Sequence, residues 1–224
     1  MCGRFALFAT SEQLAEYFTL AAGVAETLPP RFNLTPGQAV AVVRERDGVR
    51  RLDLLRWGLV PFWAKDASIG QRLINARLDS ITTKPAFREA FARRRCLIVA
   101  SGFYEWSEPV QGRRRPFFVR GHDERLLAFA GLWERWRSPD GKPLETCVIV
   151  TTDANAALAP IHERMPMLVA REDHARWLDP RTSLTEAAAI AGRAPRVESW
   201  QVSLAVNDPR NDDETLIEPL AAAP

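Results

Sequence analysis

Residues 96–106 read CLIVASGFYEW. Cys96 to Ala100 is an uncharged apolar run of strand length, Ser101-Gly102 interrupts it, and Phe103 to Trp106 resumes as a second strand. In an extended chain Tyr104 and Trp106 share one face while Phe103 and Glu105 share the other. Working outward, PFFVR (116–120), LLAFAGLWERW (126–136) and CVIVT (147–151) repeat the strand character between polar or glycine-containing turns. Upstream, RFNLTPGQAVAVV (31–43) joins a Pro/Gly turn to a buried strand, and GVRRLDLLRWGLVP (48–61) reads as its partner across the Asp47-Gly48 turn. ESWQVSLAV (198–206) reads as a last strand.

Helical signals are short. TSEQLAEYFTLA (10–21) offers Thr10 and Gln13 as a capping box and puts Leu14, Tyr17 and Phe18 on one face. A helix beginning near Pro85 turns Phe87, Ala90 and Phe91 inward, and REDHARWLDP (171–180) predicts a late helix stopped before Pro180. Neither a repeat nor a linker interrupts the chain. The expected fold is therefore α+β, one domain over residues 1–224 with a β-rich, barrel-like core flanked by short helices and a weakly structured tail at LAAAP.

The 224 residues suffice for a substantial core without disulfide or metal staples. With 46% apolar residues, 26% charged residues and a formal net charge of +2, the chain is not a broad electrostatic binder of nucleic acid or membrane. Arg4 sits in the first apolar run and no long uncharged stretch follows, so neither a secretory segment nor a membrane span is expected and the protein is assigned to the cytoplasm. The three cysteines cannot all pair within one chain and lack C-x-x-C spacing, which argues against a disulfide framework and a structural zinc site. Cys96 and Cys147, set in strand runs, read as inert core. No metal and no organic cofactor are expected.

Cys2 asks for a different account. If Met1 is removed, residue 2 carries an amine and a thiol on adjacent carbons. An α-amine titrates near ~7.7–8.0, against ~10.4 for lysine, so roughly a tenth of it is free base at neutral pH. It can attack an aldehyde, and the thiol can then close a five-membered thiazolidine in an intramolecular step. The plainer alternative is a small side chain packed in the core.

Three further motifs bear on that choice. LINARLDS (73–80) sets Asn75 and Arg77 just beyond an apolar pair, either an amide suited to holding a polar group and a guanidinium suited to phosphate, or a loop asparagine satisfying local backbone beside a surface arginine. In GFYEWSE (102–108), Glu105 falls on a partly apolar face, where desolvation raises a carboxyl pKa and fits it for proton transfer, the alternative being a charged residue at a sheet edge. In APIHERMPML (159–168), His162 and Arg164 lie between Pro160 and Pro166, an acid or base beside a phosphate ligand. His122, in a polar turn, and His174, on a helix read as surface, are weaker candidates. The runs Arg93 to Arg95 and Arg113 to Arg115 read as solvated faces or turns.

Together, MCGRF, RFNLTPGQ, RWGLVPFWAKD, INAR, KPAFREAFARRRCLI, GFYEW, FAGLWERW, IVTTDAN, IHERMP and VNDPRNDDETLIEP closely resemble the SOS response-associated peptidase family. The resemblance implies recognition of abasic sites in single-stranded DNA and a covalent DNA-protein crosslink through Cys2 after loss of Met1. It implies that Asn75 orients the amine or the sugar, that Glu105 moves protons, and that His162 protonates the ring oxygen or stabilises the released hydroxyl. Arg77 and Arg164 match positions near the DNA backbone, with Arg4, Asn33 and Thr151 as further polar contacts and Trp63 and Trp106 as wedges or base platforms. Leu78, Asp79 and Ser101 depart from the family pattern, where a small residue, glutamate and aspartate are usual. The expected partner is single-stranded DNA containing abasic sites, bound by a monomer that is nucleoid-associated if bacterial. Two rival functions stand beside this one: a thiol peptidase built on Cys2, His162 and Asn75, with removal of Met1 in cis as its narrowest form, and a noncovalent single-strand binder.

Overall fold

Asp47 and Gly48 both adopt positive φ, 54° and 72°, as a two-residue type I′ hairpin loop requires. The flanking strands pair without a break from Ala39/Arg56 to Arg46/Val49. The computed structural model describes residues 2–21, 28–109, 112, 114–123 and 125–220. In chain order the elements are β1 (Arg4–Leu7), α1 (Ser11–Phe18), β2 (Arg31–Leu34), β3 (Ala39–Arg46), β4 (Val49–Trp57), β5 (Asn75–Arg77), α2 (Arg88–Arg93), β6 (Arg95–Ala100) and β7 (Gly102–Trp106). They continue with β8 (Pro116–Gly121), β9 (Leu127–Arg137), β10 (Pro143–Asp153), β11 (Arg164–Pro166), α3 (His174–Leu178), α4 (Leu184–Ala189) and β12 (Val197–Gln201).

β4, β3, β6, β9 and β10 form a closed ring. Four of its junctions are antiparallel, and the ring shuts where Thr146 and Cys147 of β10 pair in parallel with Arg56 and Trp57 of β4. Closure removes the free edges that would otherwise invite pairing with another chain. A Cβ at Gly131 would lie 2.9 Å from Cys96 Sγ and 3.0 Å from Ile98 Cγ1, so only glycine fits the barrel at that point. The second sheet is antiparallel, in the order β12-β8-β7-β1-β2. Phe5 and Phe103 on one of its faces join the barrel: Phe5 lies 5.2 Å from Trp57, and both rings lie 5.7 Å from Phe129. Tyr104 on the opposite face belongs to a smaller cluster with Phe118, Val202, Val206 and Leu216, against which Trp106 packs. The two faces read from Phe103 to Trp106 thus belong to two different apolar clusters.

The sequence reading of α1 holds in detail, with the Thr10/Gln13 capping box formed and Leu14 and Phe18 buried. Elsewhere the structure departs from it. The helix expected near Pro85 begins at Arg88, although Phe87, Ala90 and Phe91 are buried as expected. The last strand ends at Gln201, because Ser203 accepts from the Ala205 amide and starts a 3₁₀ turn over Leu204–Asn207. Arg95 is buried, donating to the carbonyls of Trp177, Phe91, Thr182 and Asp179, and Arg94 pairs with Glu134 at 2.9 Å. These two are anchors of the helical flank rather than a solvated face, whereas Arg114 and Arg115 are exposed. Arg113 and Ala221 to Pro224 of the tail lie outside the described residues. His174 is fully buried, stacked on Phe18 at 5.2 Å and edge-on to Tyr17, and this corrects its reading as a surface residue. No helix is long and apolar enough to cross a membrane among the described residues.

Candidate nucleic-acid capture site

β10 runs on past the barrel and gathers two short strands: Asn75 to Arg77 of β5 beside Ile149 to Thr151, and Arg164 to Pro166 of β11 against Thr151 to Asp153. This corner receives the start of the chain. The Asn75 side-chain amide donates to the Cys2 carbonyl at 2.9 Å, while its Oδ1 is buried without a hydrogen-bond partner among the described residues. A buried acceptor left open is costly unless something comes to fill it.

Glu105 reaches the same corner from β7, whose ladder sets Tyr104 opposite Arg4. Its side chain is buried, and burial pushes the carboxyl pKa up, with His162 pulling the other way. Cys2 is fully buried, and that burial, reinforced by the nearby Glu105 charge, pushes the thiol well above its ordinary range. One carboxyl group is therefore electrostatically coupled to both Cys2 and His162. His162 Nδ1 lies 2.9 Å from the Arg164 amide nitrogen and 3.1 Å from the Arg164 carbonyl oxygen, so the Arg164 backbone holds the ring in place. The ring is carried by a turn in which the His162 amide donates to Leu158 O at 3.0 Å. Cys2, Asn75, Glu105 and His162 are thus linked by one hydrogen bond and two charge couplings.

The two arginines beside them are already engaged. Arg164 is buried and donates to Asp153 at 2.6 Å and to the carbonyl of Thr151 at 2.8 Å, with Thr151 itself buried. Arg77 is exposed, and its Nε and Nη2 both donate to Asp79 Oδ2, at 3.2 and 2.8 Å. Asp79 and Asp153 were given no role by the sequence; the R-x-D spacing of Arg77 and Asp79 was the available sign.

Arg4 and Asn33 have inward-facing roles. Asn33 is fully buried; its amide nitrogen donates to the carbonyls of Val206, Asp208 and Asn211, and its oxygen accepts from Arg4 at 2.9 Å. Arg4 also donates to Val206 O at 2.6 Å. Both fasten the 206–211 segment to β1 and β2; Asn33 is fully buried, whereas Arg4 is half-buried and its Nη2 donates to the Asn207 carbonyl at 3.3 Å at the surface. Trp106 is tied to the same segment through a 2.8 Å hydrogen bond from its indole to Asn207, a partner that sequence reasoning missed within the VNDPRNDD block. Trp63 is about half exposed beside an equally exposed Phe62. His122 pairs with Asp123 and lines a separate cavity of about 590 Å³. Among the described residues no three His, Cys, Asp or Glu side chains are grouped as a metal site requires.

Comparison with known proteins places this geometry in context. The family model described as SOS response associated peptidase (SRAP) matches residues 1–209. The abasic site processing protein YoqW of Bacillus subtilis (strain 168) is 38% identical over 222 residues, covering 97% of this chain and 99% of that protein. The abasic site processing protein YedK of Escherichia coli (strain K12) is 32% identical over 235 residues, covering 98% and 100%. A crystal structure of a protein from Bacteroides thetaiotaomicron superposes with a TM-score of 0.87 at 25% identity, covering 98% of this chain and all of that one.

Proposed function

The chain belongs to the SOS response-associated peptidase family, and on that premise we propose that it recognises abasic sites in single-stranded DNA and captures them covalently through Cys2 once Met1 has been removed. An abasic deoxyribose equilibrates with an open-chain aldehyde. The Cys2 amine adds to C1′, water leaves to give an imine, and the thiol adds to the imine carbon to close a thiazolidine. Two bonds form at C1′ and one molecule of water is released, so neither oxidant nor metal is consumed.

The observation that carries this reading is the 2.9 Å hydrogen bond from Asn75 to the Cys2 carbonyl. It fixes residue 2 against the corner where Glu105 is buried. Removal of Met1 turns an uncharged amide into an amine at that point. A carboxyl whose pKa is raised by burial exchanges protons with such an amine more readily than an ordinary carboxylate does. His162, its ring held by the Arg164 backbone, supplies the acid for the ring oxygen released as the sugar opens. Arg77 faces the backbone of the strand, and Trp63 gives an exposed ring for a flanking base.

The test uses purified protein with Met1 removed, incubated with a single-stranded oligonucleotide carrying one abasic site. A denaturation-resistant adduct whose attachment maps to residue 2 by mass spectrometry is expected. Processed protein that stays unmodified, that attaches elsewhere, or that turns over peptides without forming any adduct overturns the proposal.

A further inference from the structure

Arg77 and Arg164 approach one carboxylate oxygen. Asp79 Oδ2 accepts both hydrogen bonds from Arg77 and stands 3.7 Å from Arg164 Nη1. Asp153 also accepts from the same Arg164 Nη1, at 2.6 Å. Two guanidinium groups converging on one oxygen form the arrangement that binds a phosphodiester oxygen. Here that point is filled by the protein's own acid. Arg164 is buried and cannot swing away, whereas the side chains of Arg77 and Asp79 are each about half exposed and free to separate.

We propose that Asp79 is an electrostatic guard on Arg77, occupying the place of a backbone phosphate oxygen so that a strand binds only by displacing it. This rests on the reading of the corner as a DNA site. The guard is built to yield, because an exposed ion pair is worth little and a phosphate restores both hydrogen bonds to Arg77. Its effect is to set a threshold. Single-stranded DNA without a lesion gains too little to hold Asp79 aside for long, while a strand captured at Cys2 keeps it displaced.

Equilibrium binding of an undamaged fluorescent single-stranded oligonucleotide tests the guard apart from the crosslink. Removing one unit charge ~4 Å from a phosphate corresponds to about a fivefold change in an equilibrium constant in water. Asp79→Asn is therefore expected to tighten binding about fivefold, Asp79→Glu to leave it near the parent value, and Asp79→Asn in an Arg77→Ala background to lose most of the gain. Unchanged or weaker binding by Asp79→Asn overturns the inference. So does a gain of the same size without Arg77, which would mark a general charge effect. The parent protein with abasic DNA forms a separate arm: failure to crosslink there counts against the proposed function and leaves the affinity comparison to judge Asp79.

Discussion

Cys2 and Cys147 are equally hidden, and burial pushes both thiols upward. Their surroundings differ. Cys147 sits mid-strand in β10, paired with Trp133 of β9 on one side and Trp57 of β4 on the other, inside a barrel without free edges. Cys2 precedes β1, held through its carbonyl by Asn75 and electrically coupled to Glu105. On the proposed function, burial therefore does not separate an inert thiol from a reactive one. The separating features are a backbone end that can become an amine and a carboxyl group placed to exchange its proton.

The largest expected effect breaks the comparison at its first term. Cys2→Ala abolishes the adduct, whereas Cys147→Ala keeps it at close to the parent rate while losing about 1–2 kcal/mol of stability to a small cavity. Cys2→Ser sharpens the point, since its amine still forms an imine trappable by borohydride but closes no stable sulfur ring. An unreduced adduct of parental durability from Cys2→Ser would sink the thiazolidine. The next effect is kinetic. Glu105→Gln is expected to slow adduct formation by roughly a hundredfold with undamaged-strand affinity unchanged, read by timed denaturing gels beside equilibrium binding. Equal rates remove Glu105 from proton transfer.

The same contrast explains what was legible beforehand. Barrel strands announce themselves, because closure needs long apolar runs and tight turns: CLIVA, the Asp47-Gly48 loop and the Thr10/Gln13 cap all lie where local chemistry sets them. The residues of the corner come from short motifs that each have a plainer structural alternative, and it is the family resemblance across ten ordered blocks that draws them together. Engagement was not readable. Arg95, in a run of three arginines, is buried because four carbonyls, three of them more than 80 positions away, converge on its guanidinium. Asn33 is consumed by carbonyls more than 170 positions away. Long-range hydrogen bonds of this kind leave no local period in a sequence.

His174 extends the comparison from thiols to imidazoles, since His162 lies in the corner and His174 in the core. Burial, with Arg50 and Arg171 adding to it and a contact with the Val169 backbone opposing it, lowers the His174 pKa from 6.5 to about 4. The folded state therefore resists protonation that the unfolded chain accepts below pH 6.5. This contribution to stability is intact above that value and falls away toward pH 4, by about 3 kcal/mol in all. Urea unfolding at pH 7 and pH 4 should show His174→Phe losing less stability than the parent over that interval. Parallel curves for the two proteins would relocate the acid sensitivity elsewhere.

Asn33 supplies the smallest expected effect and the finest division between a group that builds the site and one that touches the ligand. Its amide nitrogen serves three carbonyls of the 206–211 segment, and its oxygen steadies Arg4. Asn33→Ala leaves those carbonyls and one guanidinium nitrogen short of partners, at a cost of about 1–3 kcal/mol. For a chain of this size that lowers Tm by roughly 2–4 °C per kcal/mol. Because the side chain is fully buried, affinity for undamaged single-stranded DNA is expected to change less than twofold at temperatures well below the transition. A tenfold loss of affinity with Tm unmoved would reverse the assignment and return Asn33 to the DNA surface. The segment it fastens also carries Asn207, the partner of the Trp106 indole, so an intermediate result, with Tm lowered and affinity modestly reduced, would trace to a displaced Trp106 and would be reproduced by Asn207→Ala.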